Sequence, residues 1–125
     1  GYNELRFDMK YKGKDYYAVY IGFKVENETS KYKMNYTSFS GGNVKDQFSV
    51  HNGKKFTTID SDNDEWSGGN CAVDWSRGGW WYYNCHRVNV NGEWASRVEY
   101  KGIHWSSITA WSDSLDFVEM KLRQM

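Results

Sequence analysis

Gly79-Trp80-Trp81-Tyr82-Tyr83-Asn84-Cys85-His86 sets four aromatic side chains in a row, one asparagine short of a cysteine. The only other cysteine is Cys71, with thirteen residues between the two. An even count at this spacing permits one disulfide, and closing a loop near 15 residues is worth about 3 kcal/mol in the chain-entropy view. Two reduced, buried thiols are the alternative reading of the same pair. The sequons Asn27-Glu28-Thr29 and Asn35-Tyr36-Thr37 favour the disulfide, because N-glycosylation and disulfides belong to the same oxidising, secretory compartment.

The aromatic run continues on both sides. Trp75, Trp94, Trp105 and Trp111 lie within forty residues of one another. Stacked rings can wall a slot against a methyl group or a sugar face while their N–H and O–H groups keep polar partners. The adjacent pair Trp80-Trp81 reads as packing, whereas Trp75 and Trp111, in polar glycine- or serine-rich surroundings, read as candidate pocket walls.

Just upstream, Asp60-Ser61-Asp62-Asn63-Asp64-Glu65 holds four acids in six positions. Alternating carboxylates suit a hard cation such as Ca²⁺, which takes 6–8 oxygen ligands. Counted from Asp60, the sixth residue is Glu65 rather than glycine and the twelfth is Cys71 rather than glutamate, so the loop is not an EF-hand. Gly68 and Gly69 would let backbone carbonyls turn inward instead; a solvated acidic turn is the plainer alternative.

Period-2 alternation predicts strands around Leu5, Phe7 and Met9, around Tyr32, Met34 and Tyr36, and around Val118, Met120 and Leu122. The β-branched and aromatic stretch from Tyr16 to Val25 predicts another. A short helix is expected over Asn43 to Phe48. From about Gly53 to Trp111 no period survives, and so long an irregular stretch is uncommon unless it binds something or is stapled.

Length fits one domain: 125 residues, of which 18% are aromatic and none is proline. Formal net charge is zero and 26% of residues are charged. With mean hydropathy -0.85, there is no basic excess for nucleic acid or anionic lipid and no apolar run for membrane insertion. The first residues, Gly1-Tyr2-Asn3-Glu4-Leu5, lack the charged and apolar regions of a secretion signal. No nucleophile elbow, metalloprotease helix, P-loop or dinucleotide fingerprint occurs, and His51, His86 and His104 are scattered, so no enzyme activity is expected.

An ordered set of motifs gives the chain a family resemblance. Phe48-Ser49-Val50-His51-Asn52-Gly53-Lys54-Lys55-Phe56-Thr57-Thr58 is followed by the acidic loop, then Gly69-Asn70-Cys71-Ala72, then Gly79 to His86. Asn91-Gly92, Gly102-Ile103-His104-Trp105 and Glu119-Met120-Lys121-Leu122-Arg123 complete it. The whole resembles the fibrinogen-related domain of ficolins, tachylectins and invertebrate fibrinogen-related lectins.

The resemblance implies an α+β fold, with a short twisted antiparallel sheet and a large irregular lobe carrying calcium and ligand pockets. Residues 1–125 would be the C-terminal portion of one such domain, without its N-terminal subdomain. A sheet edge would then be left for another copy or another chain to cover. It further implies Ca²⁺ held by the Asp62 and Asp64 carboxylates and by carbonyls at Trp66 and Ser67 or Gly68. The Asn84–Cys85 peptide would be cis, with the Cys85 and His86 amides facing the oxygen of an acetyl group. Its methyl would lie among Trp75, Tyr100 and Trp111, with His86 at the rim.

The expected function is that of a secreted, calcium-dependent lectin binding acetylated carbohydrates on microbial surfaces in innate immunity. The rival from another class is an extracellular protein-interaction module gripping a peptide amine through Asp74, Glu99 or Asp113. Two local departures bear on these readings. The chain has Gly68-Gly69 where relatives have one glycine, and Glu99-Tyr100-Lys101-Gly102 where the lectins often have Tyr-Ala-Asn-Gly. Glu99 in place of that tyrosine would alter the acetyl slot toward a cationic guest.

Overall fold

The computed structural model describes residues 3–124, and its backbone is organised by the alternation already visible in the sequence. Strands β1 (Asn3–Tyr11) and β2 (Lys14–Ile21) form a hairpin closed by Lys12 and Gly13, both at positive φ. The C-terminal strand, Phe117–Gln124, pairs antiparallel with the other side of β1 in the register Leu5↔Leu122, Phe7↔Met120, Met9↔Val118. Ser38–Gly42 pairs with β2 at the opposite edge, across a register shift at Val19/Tyr20. The result is one four-stranded antiparallel sheet with the C-terminal strand at an edge.

Period 2 sends one row of side chains to one face. Leu5, Phe7, Met9, Ala18 and Tyr20 are all buried there. Phe7 meets Tyr20, Phe48 and Trp105 edge-on at ring separations of 6.0, 5.1 and 5.2 Å, so the sheet is joined to the irregular lobe through aromatic contacts. Trp80 and Trp81 are packed into this core, as their adjacency suggests.

Beyond the sheet the elements are short. β3 (Lys24–Val25) pairs with β4 (Met34–Asn35), and a 3-10 turn, Glu28–Ser30, lies between them. A second 3-10 turn spans Ser49–His51, and a single α-helical turn, α1, spans Cys71–Asp74. β6 (Val88–Asn89) pairs with β7 (His104–Trp105). The long irregular stretch is therefore real. The helix expected over Asn43 to Phe48 is not formed. Asn43 instead caps the β2 edge through the Tyr17 amide, and Asp46 accepts from the Tyr20 hydroxyl and the Phe48 amide. These tethers hold the segment in an irregular path of bends.

Candidate functional site

Asn70 starts the site. Its side-chain oxygen accepts from the Ala72 amide and so caps α1, while its amide nitrogen donates to the Thr58 carbonyl. Cys71, the first residue of α1, is joined to Cys85 by a disulfide, with Cα atoms 5.5 Å apart. The aromatic run therefore ends against α1, and the Asn84–Cys85 peptide between them is cis. The Tyr83 amide donates to the Cys85 carbonyl at 2.9 Å and closes a tight turn around that bond. Among the described residues the Asn84, Cys85 and His86 amides donate to no protein group. All three residues line a cavity of about 320 Å³.

Aromatic rings form its wall. Trp66 meets Trp75 at 5.8 Å, Trp75 meets Tyr100 at 5.3 Å, Tyr100 meets Trp111 at 5.4 Å and Trp111 meets His86 at 5.7 Å. Trp75 remains 42% exposed although its neighbours are packed, so its ring is available to a guest. Tyr100 has φ of 68° and its amide donates to the Trp111 carbonyl at 2.8 Å. That left-handed turn sets Tyr100 against Trp111 and leaves Glu99 on the exposed surface, outside the cavity lining. Trp75, Asn84, Cys85, His86, Tyr100 and Trp111 are all brought together.

The Trp66 ring, Tyr83 and Arg87 also line the cavity and were not anticipated there. Trp66 is placed by Gly68, where a Cβ would come within 2.6 Å of the indole. A bulky residue two positions before a Gly-Gly pair is the signal that could have revealed it. Among the described residues no acid lines the cavity. The Asp74 carboxylate accepts from the Asn70 amide, and that of Asp113 accepts from the Tyr11 hydroxyl and the Ser114 amide.

Behind the wall runs a buried hydrogen-bond chain. The Asp113 carbonyl can only accept, so His104 Nε2 carries the proton directed at it, at 2.8 Å. His104 Nδ1 must then accept from His86 Nε2, also at 2.8 Å, and His86 Nδ1 accepts from the Ser76 hydroxyl. Both imidazoles are neutral in this arrangement. Burial, reinforced by the proximity of His104, holds His86 well below the usual histidine range, and burial lowers His104. Ser76 is fully buried, so its hydroxyl acts as a structural donor rather than an exposed nucleophile.

The acidic loop is tied to the start of α1 through Asp64 and the Cys71 amide. Asp64 accepts from the Trp66 amide with one oxygen and from the Cys71 amide with the other, while Asp62 accepts from the Asp64 amide at 3.3 Å. Burial pushes the Asp64 carboxyl up, the Cys71 and Trp66 amides oppose the shift, and the charge of Asp62 adds to it. Among the described residues the Trp66, Ser67 and Gly68 carbonyls accept no hydrogen bond. No group of three or more His, Cys, Asp or Glu side chains converges to hold an ion among those residues. A cation here would need these carbonyls beside the two carboxylates, an all-oxygen donor set that fits Ca²⁺.

A family model described as fibrinogen beta and gamma chains, C-terminal globular domain, matches residues 1–125. The chain belongs to this fibrinogen C-terminal family. Within it, chicken tenascin is 38% identical over 123 residues, covering 98% of this chain and 7% of tenascin. Mouse tenascin-R is 41% identical over 123 residues, covering 98% of this chain and 9% of tenascin-R. Among solved structures, the fibrinogen-like globe domain of human ANGPTL2 superposes with a TM-score of 0.90 at 38% identity, covering 98% of this chain and 58% of that one. Lamprey fibrin D-dimer, complexed with the peptide Gly-His-Arg-Pro-amide, gives 0.83 at 25% identity, covering 99% of this chain and 47% of that one. The chain thus spans less than a tenth of the curated relatives it matches and about half of these solved ones. The fold is the fibrinogen C-terminal-like fold.

Proposed function

We propose that this fibrinogen-like chain is an extracellular, non-enzymatic recognition module that engages a protein partner through the Trp75–Tyr100–Trp111 cavity. The observation that carries the reading is the row of unfilled Asn84, Cys85 and His86 amides beside an apolar wall. Such donors satisfy an uncharged carbonyl oxygen, and the rings take the alkyl group next to it. With no acid in the lining, a free peptide amine finds no counter-charge. That separates this cavity's chemistry from the amine-gripping reading, and the guest is an acyl or backbone carbonyl of the partner. Similarity to tenascins and to an angiopoietin-like globe domain supports the extracellular protein-binding class. No helix is long and apolar enough to cross a membrane among the described residues.

The same geometry favours a second reading, as a lectin for acetylated carbohydrates, because an N-acetyl group is itself a carbonyl with an adjoining methyl. In either case Ca²⁺ is assigned to Asp62, Asp64 and the Trp66, Ser67 and Gly68 carbonyls. There it would supply the positive charge that lets two neighbouring carboxylates stay ionised beside α1. A shallow slot of this kind binds weakly, so several copies acting together raise avidity.

The test is calorimetric titration with an N-acetylated peptide amide, with N-acetylglucosamine and with Gly-His-Arg-Pro-amide, each at millimolar concentration. Heat from either acetyl ligand that falls more than tenfold in affinity in Trp75→Ala supports the cavity. Preference for the acetylated peptide or for the sugar separates the two readings. No heat from either, or tighter binding by the free-amine peptide, overturns both.

A further inference from the structure

A second cavity, about 450 Å³, shares no lining residue with the site above and is more apolar than polar. Its walls include Val25, Tyr32, Phe56 and the Trp81 ring. Val25 and Tyr32 are about half exposed, at 48% and 47%. Phe56 meets Trp81 edge-on at 5.3 Å, and the Trp81 indole N–H donates to the Tyr32 carbonyl at 2.9 Å, so the floor is rigid. An aromatic recess of this kind can seat the apolar face of a sugar ring.

The rim of this cavity carries a sequon. Glu28 and Lys31 line it, and Asn27, immediately before Glu28, accepts with its backbone carbonyl from the Tyr32 amide at 3.1 Å. The Asn27 side-chain oxygen faces the Ser30 amide as the cap of the Glu28–Ser30 turn, while its Nδ2 donates to nothing among the described residues. A glycan attaches at Nδ2, so the cap and the modification are compatible.

The second sequon is presented differently. Asn35 lies in β4 opposite Lys24, and its Nδ2 donates to Glu26 at 2.8 Å. Its Thr37 hydroxyl is pressed against Gly22, where no Cβ would fit. The first sequon is exposed throughout, whereas in the second Asn35 and Tyr36 are half-buried and only Thr37 is exposed.

We propose that Asn27, and not Asn35, is the glycosylated asparagine, and that its first N-acetylglucosamine lies in the Val25–Tyr32–Phe56 cavity. The sugar's C–H face would cover Tyr32 and Val25, and its polar edge would meet Glu28 and Lys31. This rests on the secretory half of the functional reading but not on what the other cavity binds.

The experiment is secretion of the chain from eukaryotic cells behind a cleavable signal, followed by trimming of glycans to a single N-acetylglucosamine. Peptide mass mapping is expected to find that sugar on Asn27 and an unmodified Asn35. Hydroxyl-radical footprinting then compares the trimmed protein with Thr29→Ala, which destroys the sequon and keeps the Asn27 cap. Labelling at Tyr32 and Val25 should be at least about twofold lower in the glycosylated form, with Tyr17, exposed on the sheet, unchanged. Modification of Asn35, with or without Asn27, or of neither asparagine overturns the assignment. Equal labelling of Tyr32 and Val25 in the two proteins overturns the seat, and so does protection that depends on protein concentration rather than on the sugar. Failure of acetyl ligands at the Trp75 cavity leaves these outcomes unaffected, so the two proposals fail separately.

Discussion

Mild acid should destabilise this domain through His51. The ring is completely buried, with Nδ1 2.8 Å from the Trp81 carbonyl and Nε2 facing the Arg87 and Val88 amides, each at 3.2 Å. A carbonyl only accepts, so Nδ1 holds the proton and the Nε2 lone pair receives both amides. Protonation at Nε2 would set N–H against two N–H donors inside the core. Burial is the largest cause of the shift, and it carries the group from 6.5 down to about 4. Above the unfolded value both states are neutral and His51 contributes no pH dependence. As pH falls below about 6.5 the unfolded chain takes up a proton that the folded chain refuses, so stability drops by up to about 1.4 kcal/mol per pH unit until the folded value is reached. The shift amounts to about 3 kcal/mol by pH 4, a large part of the 5–15 kcal/mol typical of a domain.

The assay is urea unfolding followed by tryptophan fluorescence between about pH 7 and about pH 4, on the parent chain and on His51→Gln. The variant loses stability at neutral pH because the imidazole's packing against Phe48, Trp80 and Tyr83 is lost, yet its curve against pH should be shallower. His86 and His104 are lowered by burial too and act with the same sign, so the difference between the two slopes isolates His51. Asp113, lowered by its hydrogen bond from Tyr11, responds only near and below the ordinary carboxylate range. Asp64, raised by burial, works in the opposite direction. Parallel curves for parent and variant would refute the argument, as would a parent whose stability is flat across the window.

Three further outcomes are expected. Replacing Cys71 and Cys85 together by serine should cost about 3 kcal/mol in urea unfolding, the value for a loop of this length, and should weaken acetyl-ligand binding because the Asn84–His86 turn loses its anchor. Calcium at about a hundred times its dissociation constant should add about 2.7 kcal/mol, read as a rise in Tm that chelator reverses and Asp64→Asn abolishes; a Tm indifferent to both calcium and chelator would remove the ion from the reading. Gly92→Ala should lower stability by about 2 kcal/mol or more, because the new methyl runs into the Gly102 carbonyl; a change within error would show that the loop shifts freely.

The sheet was legible because its instruction is periodic. Leu5, Phe7 and Met9 alternate with polar residues, and the alternation alone tells which face is buried; Val118, Met120 and Leu122 repeat it on the strand that pairs with them. The Asn43–Phe48 segment was misread because its conformation is set from a distance, by Asp46 holding a tyrosine twenty-six residues earlier in the chain. Periodicity carries no trace of such a bond.

The irregular lobe consists almost entirely of bonds of that second kind, which is why motif order, rather than pattern, pointed to the residues that line its cavity. Trp75, Tyr100 and Trp111 meet only because the Tyr100 amide reaches the Trp111 carbonyl and α1 is tied to the aromatic run through Cys71. Glu99 and Tyr100 are neighbours in sequence, yet one positive φ separates the exposed residue from the wall. His86 and His104 look unrelated along the chain, but the pairing of β6 with β7 sets Asn89 opposite His104 and brings the two rings into one hydrogen-bond chain. A lobe held by single, non-repeating tethers can leave three consecutive amides without internal partners at the cavity, where a continuous ladder would have satisfied them. Irregularity in this part of the chain is therefore what leaves backbone donors free for a ligand, and the regular sheet beneath supplies the rigidity that keeps them in place.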